Sequence, residues 1–170
     1  GSIAAGMVLV PEDRRGQGLV LGLSVQENIN LGYERMFANA LGLLGGGKER
    51  ENAAQFIKRL RIKTPGAATP VNTLSGGNQQ KVVIAKWLFQ NSEILFLDEP
   101  TRGIDVGAKA EIYRLINRMA KEGKTIIMIS SEMPELLGLC DRIMVMHEGH
   151  KMGELNAAEA TQEKIMALCS

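Results

Sequence analysis

Apolar residues along the chain fall into two kinds of pattern. Met7–Val10 is a short continuous apolar run ended by Pro11, the form a buried strand takes. Residues 94–97 and Thr125–Ile129 repeat that form, and 143–146 read as a further strand with a Glu148-Gly149 turn behind it. Elsewhere the spacing changes to 3, 4 and 7. Ala53, Phe56, Ile57 and Leu60 share one face of a helix over 51–60, and Ile112, Leu115, Ile116 and Met119 one face of a helix over Val106–Lys121. Val82, Val83, Ala85 and Trp87 place a helix after Gly77, ending near Phe89. Short helices are expected over 134–139 and 160–168. Ser24 followed three residues later by Glu27 is a capping box, so 25–62 reads as helical, broken near 42–47. The stretches 12–18 and 64–73, rich in glycine, proline and polar residues, read as loops.

Strands alternating with helices imply βαβ units and an α/β fold with a parallel sheet. The expected layout occupies 3–170. A helical subdomain covers about 24–92, a core sheet about 3–12 and 93–150, and a C-terminal helix about 159–168. Composition narrows the class without changing that picture. Of 170 residues, 45% are hydrophobic and 23% charged, enough apolar material for one packed domain. Aromatics are 4%, so the core must be aliphatic and methionine-filled. Net charge is +1, which speaks against a nucleic-acid partner. No apolar run nears the roughly 18 residues of a membrane span. Cys140 and Cys169 make no metal-ligand spacing and read as free thiols. Gly1-Ser2 reads as a cleavage scar, so the natural chain is expected to begin upstream.

Two clusters carry chemistry. Strand 94–97 runs into Asp98 and Glu99 and stops at Pro100. Ligands sit outside the carboxyl ends of strands in open parallel sheets, so Asp98 is placed to reach Mg²⁺ and Glu99 to act as general base on a water. The alternative is a solvated acidic turn. One helix upstream, Ser75-Gly76-Gly77 opens the helix after 74, where a capping hydroxyl and two glycines let helix N–H groups meet a phosphate. The alternative is an ordinary capped helix. The two clusters in this order and spacing make both bland readings poor.

Leu74-Ser75-Gly76-Gly77-Asn78-Gln79 resembles the signature motif of ATP-binding cassette (ABC) ATPases, and 94–99 their Walker B strand. Gly103-Ile104-Asp105 resembles the D-loop. With Pro11-Glu12-Asp13-Arg14, Ser24-Val25-Gln26-Glu27-Asn28 and Ser130-Ser131-Glu132, the chain is most similar to the C-terminal cassette of duplicated monosaccharide-importer ATPases of the ribose, galactose and xylose type. The resemblance implies a partial P-loop NTPase fold and a sugar-import ATPase as the parent protein, with ATP and Mg²⁺ as ligands. It implies Ser75, Gly76, Gly77 and Gln79 as nucleotide contacts offered to a partner cassette, Asp98 at the metal, and Glu99 and Ser131 at the catalytic positions. Glu12 falls at the Q-loop position, with Gly103 and Asp105 in the D-loop. Implied partners are the N-terminal cassette of the same polypeptide, a membrane permease and, indirectly, a periplasmic sugar-binding protein. The implied place is peripheral, on the cytoplasmic face of the plasma membrane. The apolar Leu19, Val20 and Leu21 are candidate permease contacts or core.

Three departures from the family pattern matter. No Gly-x-x-x-x-Gly-Lys-[Ser/Thr] occurs in these residues, and Gly45-Gly46-Gly47-Lys48-Glu49 lies between helical segments rather than after a strand. The chain is therefore expected to start past the phosphate loop, to be inactive by itself, and to self-associate through the strand edge left open. Glu12 stands where most cassettes carry Gln, and Ser131 where most carry His. A serine hydroxyl cannot present positive charge to a γ-phosphate as an imidazole can. The alternative reading is a non-catalytic cassette that only pairs with a catalytic one.

Overall fold

The computed structural model describes residues 6–31, 46–88 and 92–169. The expected helix break near 42–47 and the helix end at Phe89 fall wholly or partly outside them. The chain divides into two compact units, 1–129 and 130–170.

The first unit holds a three-stranded parallel sheet in the order β1 (Met7–Val10), β2 (Ile94–Asp98), β3 (Thr125–Ile129). Val10 lies opposite Leu97, and Asp98 opposite Ile129. All three strands thus end at one edge of the sheet, which is where the acidic pair emerges. Val8, Val10, Leu95 and Leu97 are buried while Leu9 is exposed, the alternation of period two expected along a strand. Helices α1 (Val25–Asn30), α2 (Gly46–Arg59), α3 (Gly76–Leu88) and α4 (Val106–Lys121) belong to this unit. α3 packs on β1, and α4 on β3. The Ser24–Glu27 capping box forms as expected: Glu27 N donates to Ser24 Oγ, and Ser24 N to the Glu27 carboxylate at 2.7 Å. Gly46, Gly47, Lys48 and Glu49 form the first turn of α2, not a loop after a strand.

Residues 14–18 form a π-helical turn rather than an open loop. Asp13 supplies the reason. Its side chain accepts from Arg15 N and Gly16 N, and its carbonyl from Gln17 N and Gly18 N, which winds the chain around it. Beyond the turn, buried Asn28 exchanges two hydrogen bonds with the Val20 backbone. Leu19 is core and Val20 is 44% exposed, so the apolar trio does not share one fate.

The second unit holds α5 (Met133–Leu139), the antiparallel pair β4 (Arg142–His147) and β5 (His150–Asn156), and α6 (Gln162–Leu168) around Ile143, Val145 and Ile165. This corrects the expected sheet. The strand over 143–146 pairs with β5 and not with the parallel strands. Glu148 and Gly149 both take positive φ, 47° and 81°, which turns the chain back on itself in two residues. Cys140 and Cys169 are free thiols, and burial first, then Asp141 and Glu135, push the Cys140 thiol up.

Candidate functional site

The loop from Glu99 to Asp105 joins β2 to α4 and carries the acidic end of the strand. Glu99 takes φ +44°, the left-handed region that costs a side-chain-bearing residue about 1–2 kcal/mol. Two backbone hydrogen bonds hold it there: Glu99 N donates to Ile129 O at 2.9 Å, and Arg102 N to Glu99 O at 3.1 Å. Buried Pro100 and Thr101 anchor the next step. Gly103 follows at φ +66°, a conformation glycine adopts without strain. Asp105 ends the loop as N-cap of α4, its Oδ1 accepting from Ala108 N at 3.0 Å.

α3 begins directly opposite. Asn78 Nδ2 donates to Ser75 Oγ at 2.9 Å, and Asn78 Oδ1 accepts from Lys63 N at 2.8 Å, so Ser75 and Asn78 are ordered as a pair. A Cβ on Gly77 would lie 2.6 Å from the Ala108 Cβ, so glycine is what lets the starts of α3 and α4 meet. Ser75, Gly77, Asn78, Asp105, Gly107 and Lys63 line a pocket of about 310 Å³. Glu111 also lines it and is held by Lys81, whose side chain is 4% exposed and whose Nζ donates to Glu111 Oε2 at 2.7 Å and Arg61 O at 3.0 Å. Hydrogen bonding to Lys81, then its charge, holds the Glu111 carboxyl below the usual glutamate range.

The placement of the expected residues is uneven. Ser75, Gly77 and Asp105 meet at the pocket, with Gly76 and Gly103 in the adjoining turns. Gln79 is fully buried, donates from Nε2 to Val71 O at 3.2 Å and accepts from Arg15 Nε. Asn78, three positions after Ser75, lines the pocket, and that i, i+3 relation was the available signal. Glu12 stands past the end of β1 with its carboxylate ion-paired to Arg102. Asp98 is half-buried at the end of β2. Ser131 is exposed near the start of the second unit, next to Ser130, whose Oγ donates to the buried Glu135 carboxylate at 2.5 Å.

Asp98 offers a hard carboxylate oxygen of the kind Mg²⁺ takes. Among the described residues no three His, Cys, Asp or Glu converge on a point. Residues 2–102 match the ABC transporter family. The chain belongs to the ABC transporter family. Among its relatives, a Geobacillus kaustophilus protein named provisionally as a ribose/galactose/methyl galactoside import ATP-binding protein is 56% identical over 99% of the chain and 33% of its own length. A ribose import ATP-binding protein of Oceanobacillus iheyensis is 54% identical over 97% of the chain and 33% of its length. Among solved structures, cbiO1 from Clostridium perfringens, part of the ABC transporter complex cbiONQ, superimposes with TM-score 0.76 at 30% identity, over 96% of the chain and 62% of its own. The chain spans about a third of the length of the curated relatives it matches. The fold is thus a partial ABC cassette, α/β with a parallel sheet, and among the described residues no helix is long and apolar enough to cross a membrane.

Proposed function

We propose that this chain is the signature-bearing part of the C-terminal cassette of a monosaccharide-import ATPase. The observation that carries this is the pocket where Ser75, Gly77 and Asn78 face Asp105. The start of α3 offers backbone N–H groups without intrahelical partners, next to an ordered hydroxyl and amide. Such a surface receives a γ-phosphate held by another cassette. In the parent protein that cassette is the N-terminal one of the same polypeptide, and the two sandwich ATP head to tail. Asp98 would hold Mg²⁺ through water at the other site. Glu99, fixed in direction by its backbone, would accept a proton from the attacking water. The charge supplied by Mg²⁺ offsets that building on the phosphates.

Cargo is a monosaccharide delivered by a periplasmic sugar-binding protein to a membrane permease, and the cassette sits peripherally on the cytoplasmic face. The import names of the relatives support this reading. Exposed Val20 is the permease contact of choice among the three apolar candidates.

Two observations favour a second reading, a cassette that closes over ATP without turning it over. Glu12 is committed to Arg102, and Ser131 provides no titratable imidazole. Both readings predict asymmetry between the sites. In the full-length protein with its permease, Ser75→Ala is expected to reduce sugar uptake far more than Glu99→Gln. Equal losses would remove the asymmetry, and undiminished ATPase in Glu99→Gln would select the second reading. The chain by itself lacks the phosphate loop and is expected to bind ATP negligibly and hydrolyse none; micromolar affinity by calorimetric titration would overturn that.

A further inference from the structure

The turn after β1 touches residues that adjoin the pocket on both sides, Gly76 next to Gly77 and Arg102 and Gly103 before Asp105, and Arg14 is the side chain that joins them. Its Nη1 donates to Arg102 O at 2.9 Å and its Nη2 to Gly103 O at 3.3 Å. Its Nε is enclosed and finds no hydrogen-bond partner among the described residues, so the fork is held by its terminal nitrogens. The same Nη2 lies 2.8 Å from where a Cβ on Gly76 would stand. Arg14 thus fills the gap between the first residue of α3 and the loop that leads to Asp105. Two flanking contacts run in parallel: Glu12 pairs with Arg102, and Arg15 Nε donates to Gln79 Oε1 at 3.4 Å.

We propose that Arg14 is a positioning residue that sets the distance between the start of α3 and the 102–105 loop, and so the shape of the phosphate-receiving pocket. A guanidinium suits the task because its planar fork meets two carbonyls at once, where an ammonium meets one at a time. The carbonyls of Arg102 and Gly103 belong to a turn rather than a strand ladder, so no sheet partner fixes them. Arg14 fixes them to the turn wound by Asp13 and hence to the end of β1. A displacement of the 11–18 turn therefore reaches both Ser75 and Asp105 through one side chain. The effect on turnover rests on the ATPase reading above; the brace itself does not.

The test compares Arg14→Met and Arg14→Lys with the unchanged chain. Amide hydrogen exchange is read at Arg102 and Ile104, which donate to Glu99 O and Thr101 O, and at Leu95 and Leu97 in β2. Arg14→Met is expected to speed exchange at the loop amides about tenfold or more while β2 stays within about twofold, with Arg14→Lys in between. In the full-length protein Arg14→Met is expected to lower kcat for ATP about tenfold with KM within about twofold. Unchanged loop exchange, or faster exchange everywhere, would overturn the brace. Localised exchange with unchanged kcat would overturn its role in the pocket. A full-length protein that hydrolyses no ATP, with localised exchange, would leave the brace standing and remove the ATPase reading instead.

Discussion

Single residues at the pocket and at the end of β2 are constrained by space and backbone more than by charge. Glu99, outside the pocket, carries its carboxylate on a left-handed backbone held by Ile129 O. Gly77 has the opposite constraint, since the room a side chain needs is taken by Ala108. Gly77→Ala is therefore expected to destabilise the chain by about 1–3 kcal/mol, through the forced separation of α3 from α4. A urea-denaturation midpoint equal to that of the parent chain would contradict it. At this scale the sequence was legible where it placed Asp98 at the end of a strand and Ser75-Gly76-Gly77 at the start of a helix. It did not show that the Gln79 amide is buried against Val71 O, a contact that only the tertiary structure makes.

Between elements, α3 and α4 are tied by the Lys81–Glu111 pair, with Lys63 Nζ more loosely on the same carboxylate at 3.5 Å. The lowered Glu111 value fixes the sign of the pH effect. The unfolded chain binds the proton more readily, so the stabilisation is full above the ordinary glutamate value of 4.5 and is lost as pH falls through the folded-state value. Glu111→Gln is expected to flatten the decline in denaturation midpoint below about pH 5 relative to the parent chain. Superimposable pH profiles would show that the pair contributes nothing. Helices with a full apolar stripe were legible at this scale: α4 has the expected bounds, Val106–Lys121. β5 was not. His150, Lys151 and Glu154 break its apolar alternation, and its pairing comes from the two-residue turn at Glu148-Gly149 and from Gly153 lying against Leu168.

For the molecule as a whole, the open feature is the outer side of the parallel sheet. Among the described residues β3 has a strand partner on one side only, and Ile127 and Ile129 are 42% and 51% exposed. An apolar edge of this kind pairs with further chain. The chain is expected to self-associate with rising concentration, and Ile127→Lys to shift it toward monomer; light scattering that reports a monomer at every concentration would refute this. Hydrophobic period and capping chemistry were enough to determine an α/β fold with a parallel sheet, and the resemblance of short motifs to those of ABC ATPases implied the family. Those signals are local, because strand alternation, helix stripes and caps depend on neighbours within a few residues. Tertiary structure alone decided which residues face the pocket, that Arg14 bridges its two sides, and that β4 leaves the parallel sheet. Each of these depends on contacts between residues far apart in the chain, which no local period records.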